Sequence, residues 1–396
     1  MLFKKGELKH LWPFYLYILV YGVSTMILPF FVLYFLNLGF SYFQVAVITA
    51  AQGFSMFLFE IPTGGFADGF SRKYSVALGF GIVAIAVTLI PFTHNFYLIT
   101  FLWALTGVGM TFSSGAEEAL VIANLNKANR MDLHHEYFIK FNSFNALGSI
   151  FAPIIGAILV KNHSISILWY VFGLGFFLNA VIVLLFAKEH FEPQKIKAIA
   201  LIKKSYHNSK MGIAFTIRHK VIFLSILAGV FIDLMMVGNI GMQPLLVSLG
   251  MKEHQLGYLY SISAAVGIGM SFLSRRFVRY KPKNVMSVVV FMVMVLLLCL
   301  LFVHPPYFYL ACLIFILRGG LFSLGMPLFY PYLHRFIPEK IRATTMSAKS
   351  MADQAATSIG YIGAGALIDL FGPQKVLALG GLFGIVVIVL YQKIKD

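Results

Sequence analysis

Three side chains able to carry charge lie deep within long apolar stretches: Asp233, Arg318 and Asp353. Ionisable groups in such surroundings are expensive and tend to be functional. Lys349 stands four residues before Asp353, one helical turn away on the same face, so those two can pair locally. Arg318 is then left to pair with Asp233. Two readings follow. Either the pairs are neutral and structural, or one acid exchanges its cationic partner for a proton during a working cycle. A carboxylate in partly dry surroundings is suited to that exchange. Asp233 is the first candidate, with Arg318 as its partner. Asp353 is the second, and Glu60, near the end of its own apolar stretch, is a further one.

A second concentration of charge is FEIPTGGFADGFSRKY, Phe59 to Tyr74. Gly64 suits close helix approach. Asp68 suits the N-terminus of another helix, where the dipole favours an anion. Arg72 is expected to reach an acid of SSGAEEAL, which supplies Glu117 and Glu118. The plainer reading makes Arg72 and Lys73 orientation signals only.

Other chemistry has little support. The 11 histidines are scattered, with His134-His135 the sole cluster, and no metal-ligand set has plausible spacing. No Gly-x-x-x-x-Gly-Lys phosphate loop occurs. The expectation is a protein that is not an enzyme, with no cofactor and no metal, driven by an ion gradient and not by ATP. Cys299 and Cys312 fall within apolar blocks and read as small buried side chains.

The elements that must position these residues are membrane helices. Hydrophobic residues make up 59% of the 396 and charged residues 12%, about half the charged share of a soluble domain. Val285–Val303 is 19 residues without charge, enough to cross the hydrocarbon core. Twelve spans are predicted near 11–36, 42–66, 74–93, 96–120, 141–161, 165–187, 221–248, 255–274, 284–303, 307–333, 343–369 and 374–391. At 1.5 Å per residue Asp233, Arg318 and Asp353 sit about 15–18 Å into their spans, near the midplane. The expected domains are an N-terminal bundle over 1–190, a basic linker over 191–220 and a C-terminal bundle over 221–396. Of the 31 Lys/Arg, 26 fall at the termini and even-numbered loops and only three in the other loops. That asymmetry predicts that both termini and the central loop are cytoplasmic. The net charge of +16 is thereby a topology signal, with no nucleic acid as partner. The basic loops are expected to lie against anionic headgroups, and the protein to be a monomer.

The halves echo each other. LPFFVLYFLNLGFSYFQ and QPLLVSLGMKEHQ align Pro29 with Pro244, Gly39 with Gly250 and Gln44 with Gln255. Parallel repeats of this kind put a binding site near the midplane.

Gly64, Asp68 and Arg72-Lys73, between the second and third spans, resemble the signature of the major facilitator superfamily. The 6+6 plan and RATTMSAKS entering span 11 extend that resemblance along the chain. GSIFAPIIGA, with Gly148, Pro153 and Gly156, is a partial match to the helix 5 motif of bacterial drug/proton antiporters. Trp103 replaces an arginine common in span 4 of that family. The resemblance implies an all-α polytopic fold of 12 transmembrane helices in two pseudo-symmetric six-helix bundles, working by alternating access. It implies that the 59–74 cluster and the span 4 glutamates latch one state, and that spans 1, 4, 7 and 10 line the cavity. Span 1 carries Tyr15, Tyr17, Tyr21 and Tyr34 without charge, a lining suited to amphipathic or aromatic ligands. The expected function is proton-coupled export of hydrophobic or amphipathic small molecules. The alternatives are transport of a specific metabolite or metallophore, and a non-transporting sensor or assembly partner on the same fold.

Overall fold

The computed structural model describes residues 3–189, 214–305, 307–338 and 341–394. Twelve long helical segments are found there: α1 (Glu7–Asn37), α2 (Tyr42–Gly69), α3 (Arg72–Phe92), α4 (Phe96–Lys127), α5 (His134–Asn162), α6 (Ile167–Phe186), α7 (Lys220–Ser248), α8 (Gln255–Phe277), α9 (Pro282–Phe302), α10 (Phe308–His334), α11 (Arg342–Phe371) and α12 (Pro373–Lys393). No strand occurs among the described residues. The fold is the expected all-α membrane architecture, because in hydrocarbon a helix satisfies its own backbone. Eleven of these helices are apolar enough to cross a membrane by composition. The exception, α11, has 30 residues and ample length. It carries Thr345, Lys349, Ser350, Asp353 and Gln354 within its first half.

The chain forms two compact units, 1–28 with 51–205 and 29–50 with 206–396. This differs from the sequence division, which kept 29–50 with the first half. The hairpin is held in the second unit by specific bonds. Asp369 at the end of α11 accepts from the Tyr42 and Phe43 amides, both at 2.9 Å, and so caps α2. Gln243 accepts from the Val32 amide at 3.2 Å, and Asn37 donates to Glu253 at 3.2 Å. A Cβ at Gly365 would come within 2.5 Å of the Ala46 Cβ, so α11 and α2 touch there.

The internal repeat is visible at atomic detail. α1 is broken by a 3-10 turn at Thr25–Phe30 containing Pro29, and α7 by one at Val237–Gly241 just before Pro244. A seven-residue helix follows in each case. Gly39 (φ +87°) and Gly250 (φ +114°) then turn the chain through a region that side chains avoid. Gln44 accepts from the Ser41 amide and Gln255 from the Lys252 amide, each at 2.9 Å, closing the next helix N-terminus alike. Packing repeats too. In the first unit α3 packs on α4 and α6, and α1 on α5 and α6; in the second α9 packs on α10 and α12, and α7 on α11 and α12.

Candidate functional site

In the second unit α7 and α11 bring three charged side chains together. Lys349 donates to Oδ2 of Asp353, in the local pair that the spacing allows. Asp233 on α7 lies within the electrostatic reach of both. Gly229, one turn before Asp233, lies against the pair: a Cβ there would make ordinary contact, 3.7 Å from Asp353 Oδ1 and 3.8 Å from Lys349 Nζ. Lys349 also lies 5.8 Å from the Tyr330 ring centroid. The trio has two carboxylates and one ammonium. Asp353 Oδ1 is buried and has no hydrogen-bond partner among the described residues.

Arg318 does not pair with Asp233. Its guanidinium donates instead to Oδ1 of Asn239, in the 3-10 turn of α7. It lies 5.6 Å from the Phe315 ring, which is 4.9 Å from the ring of Tyr260. Tyr260 in turn receives a 3.0 Å bond from Gln243. The expected pair fails for a geometric reason. Asp233 and Asn239 are six residues apart, about 9 Å of rise, and Arg318 reaches the turn while Asp233 faces α11.

In the first unit the 59–74 cluster has an arrangement the sequence reading missed. Glu189, just after α6, accepts from the Ser71 hydroxyl, the Arg72 amide at 2.7 Å and the Lys73 amide at 3.3 Å. Its carboxylate therefore closes the N-terminus of α3, alongside the Ser71 hydroxyl that accepts from the Tyr74 amide. The Arg72 side chain reaches the α4 backbone, donating to the Ala119 carbonyl at 3.3 Å. The Asp68 side chain lies outside the described residues. Among the described residues, a Cβ on Gly64 would meet nothing within 4 Å. Glu60 receives a long 3.4 Å bond from Ser114, at the break in α4.

Glu117 and Glu118 divide by burial. Glu118 is exposed on α4. Glu117 faces inward and accepts from the Tyr17 hydroxyl at 2.9 Å, with Tyr137 3.4 Å from Tyr17. Nearby, fully buried Glu7 accepts from Tyr15 at 2.7 Å and pairs with Lys140 at 2.7 Å. Lys140 also holds Glu136, which Lys4 reaches at 3.0 Å. Tyr15 and Tyr17 therefore serve a polar network, a role their types alone did not distinguish from ligand lining. The signal for the network was the lone acid Glu7 amid the basic N-terminus.

The helix 5 residues act by packing. A Cβ on Gly148 would lie 2.7 Å from Gly22 Cα, so α5 and α1 are in backbone contact there. Pro153 and Gly156 are buried on α5. Trp103 packs edge-on against Trp169, with centroids 5.8 Å apart. Cys299 is exposed, contrary to expectation. The linker over 191–220 falls largely outside the described residues.

Comparison with known proteins supplies the family. Residues 14–360 match the model of the Major Facilitator Superfamily. The uncharacterised MFS-type transporter YxaM of Bacillus subtilis (strain 168) is 23% identical over 381 residues, covering 93% of this chain and 92% of that protein. The nucleoside transporter NupG superposes with a TM-score of 0.76 at 16% identity, covering 97% of this chain and 99% of NupG. A D-xylose–proton symporter gives 0.74 at 12%, covering 98% of each chain. At such identities the structures speak for the fold alone. With the family model spanning most of the chain and the twelve-helix fold, the chain is a multi-pass membrane protein and belongs to the Major Facilitator Superfamily of transporters.

Proposed function

We propose that this transporter couples export of hydrophobic or amphipathic small molecules to proton entry, by alternating access of the halves 1–190 and 221–396. The observation that carries the coupling is the trio Asp233, Lys349 and Asp353. It sets two carboxylates against one ammonium, which bonds Asp353, and Asp353 Oδ1 has no hydrogen-bond partner among the described residues. One proton makes the trio neutral. Protonation of Asp353 releases Lys349 to Asp233, so the same event redistributes contacts between α7 and α11. A bias of a few kcal/mol suffices to shift two conformations. Aromatic side chains beside the trio and Arg318 (Tyr260, Phe315, Tyr330) favour an amphipathic cargo. In this reading the protein works as a monomer with both termini cytoplasmic, its basic loops against anionic headgroups.

The test is transport in inverted vesicles. An imposed proton gradient drives accumulation of a lipophilic dye, a protonophore abolishes it, and ATP without a gradient does nothing. Asp233→Asn and Asp353→Asn keep dye binding and lose uphill accumulation. Accumulation that survives collapse of the gradient refutes proton antiport.

The bonded group Gln243, Tyr260, Asn239 and Arg318 favours a second reading, a specific polar metabolite. Similar structures include a nucleoside transporter and a D-xylose–proton symporter. Gradient-driven uptake of a nucleoside or pentose into right-side-out vesicles, with no dye transport, selects it.

A further inference from the structure

Arg318 is the most costly side chain in the second unit that the coupling scheme leaves unused. It is 6% exposed and ten residues into α10, about 15 Å from the start of that helix. A guanidinium stays charged there, because it cannot be deprotonated in a protein. Lys349, in the same unit, has a carboxylate partner. Arg318 makes no ion pair among the described residues. Its one hydrogen bond there goes to a neutral amide oxygen. A buried charge without a countercharge is destabilising unless something else compensates it.

The surroundings describe the missing partner. Asn239 holds one edge of the fork and fixes its plane. The Phe315 and Tyr260 rings lie beside it, 4.9 Å apart. Gln243 fixes the Tyr260 hydroxyl from the other side. A planar cation fixed at one edge, with donors left over and aromatic faces adjacent, is suited to a planar anion on an apolar or aromatic body. A headgroup phosphate would have to descend about half the hydrocarbon thickness to reach it. We infer that Arg318 anchors the anionic group of the transported molecule, making the cargo an amphipathic organic anion, such as an aromatic carboxylate, held beside Phe315 and Tyr260. This deepens the proposed reading and rests on it for the transport site. It assigns cargo binding to Arg318 and proton exchange to the trio, two separable roles.

The test measures binding to the full chain in phosphatidylcholine nanodiscs, with three probes of one shape: 2-naphthoate, 2-naphthalenemethanol and 2-naphthylmethylammonium. Wild type is expected to bind naphthoate about tenfold or more tighter than the other two, the scale of a hydrogen bond to a charged group. Arg318→Gln removes that preference, and Arg318→Lys retains part of it. The ligand-free Arg318→Gln protein melts at or above the wild-type temperature, since it no longer buries an uncompensated charge. Asp353→Asn keeps the preference for naphthoate over the alcohol and the amine, whatever its effect on overall affinity and coupled transport. A failure of proton coupling therefore shows in vesicles and a failure of anchoring in nanodiscs. Three results overturn the inference: no preference for naphthoate in wild type, unchanged naphthoate binding in Arg318→Gln, or a ligand-free melting point several degrees below wild type, which marks a structural role. Displacement of naphthoate by 20 mol % phosphatidylglycerol assigns the anion to lipid and overturns it as well.

Discussion

Replacing Glu189 by alanine tests the structure of the superfamily signature directly. The carboxylate accepts three hydrogen bonds at the start of α3, two of them from backbone amides that have no partner within the helix. A hydrogen bond to a charged acceptor contributes about 1.5–3 kcal/mol, and the dipole term at a helix N-terminus about 0.3–1 kcal/mol. The Lys73 bond is long at 3.3 Å, Glu189 is partly exposed, and water replaces some of what is lost. The net cost is therefore about 2 kcal/mol, and Ser71 still caps the Tyr74 amide. At about 1.4 kcal/mol per tenfold, the first turn of α3 opens ~30 times more often. Hydrogen exchange resolved over residues 71–78 reads this, with a segment of α9 as the internal control. Glu189→Gln keeps an acceptor and loses the charge, so its rise is smaller, about fivefold on half the energy. The variant should also transport less well, because Arg72 and Lys73 lose the anchor that sets their direction. Unchanged exchange in Glu189→Ala, or an equal rise in α9, would refute the capping role.

The glycines give opposite outcomes. Gly148→Val forces α5 away from Gly22 and should cost about 2 kcal/mol or more in thermal unfolding, whereas Gly64→Ala, whose Cβ meets none of the described residues, is neutral or stabilises by up to about 1 kcal/mol. Lys140→Met leaves the buried Glu7 carboxylate without its cation and should cost about 3 kcal/mol, read as a lowered melting temperature. Adding Glu7→Gln to Lys140→Met should recover much of that loss, and strictly additive effects would show that the pair is uncoupled. Asp369→Asn weakens the cap on α2 by about 1 kcal/mol, so a cysteine replacing Ser41 reacts faster with a maleimide than it does in the parent.

Legibility in the sequence followed physical range. The all-helical membrane fold and the positions of the spans came from local composition, which the solvent enforces segment by segment. The repeat was equally legible. Gly39 and Gly250 must turn with positive φ, and Gln44 and Gln255 close the following helices, and all four act within a few residues of chain. The Lys349–Asp353 pair, one turn apart on a single helix, was legible for the same reason.

Tertiary structure decided everything that depends on which helix faces meet. Depth along a helix is a count of residues and can be read from the chain, with Asp233 thirteen residues into α7 and Arg318 ten into α10. Partner choice depends also on rotation, and each residue turns a helix face by 100°. The 3-10 turn in α7 changes that rotation between Asp233 and Asn239, directing the first to α11 and the second to Arg318. Likewise no spacing rule connects Glu189 to a helix beginning 117 residues earlier, or Glu7 to Lys140. Those contacts exist because α6 returns its end to the start of α3, and because α1 and α5 touch through two glycines. Composition identifies which groups must be compensated in a membrane, but only the packing of the helices determines which group compensates which.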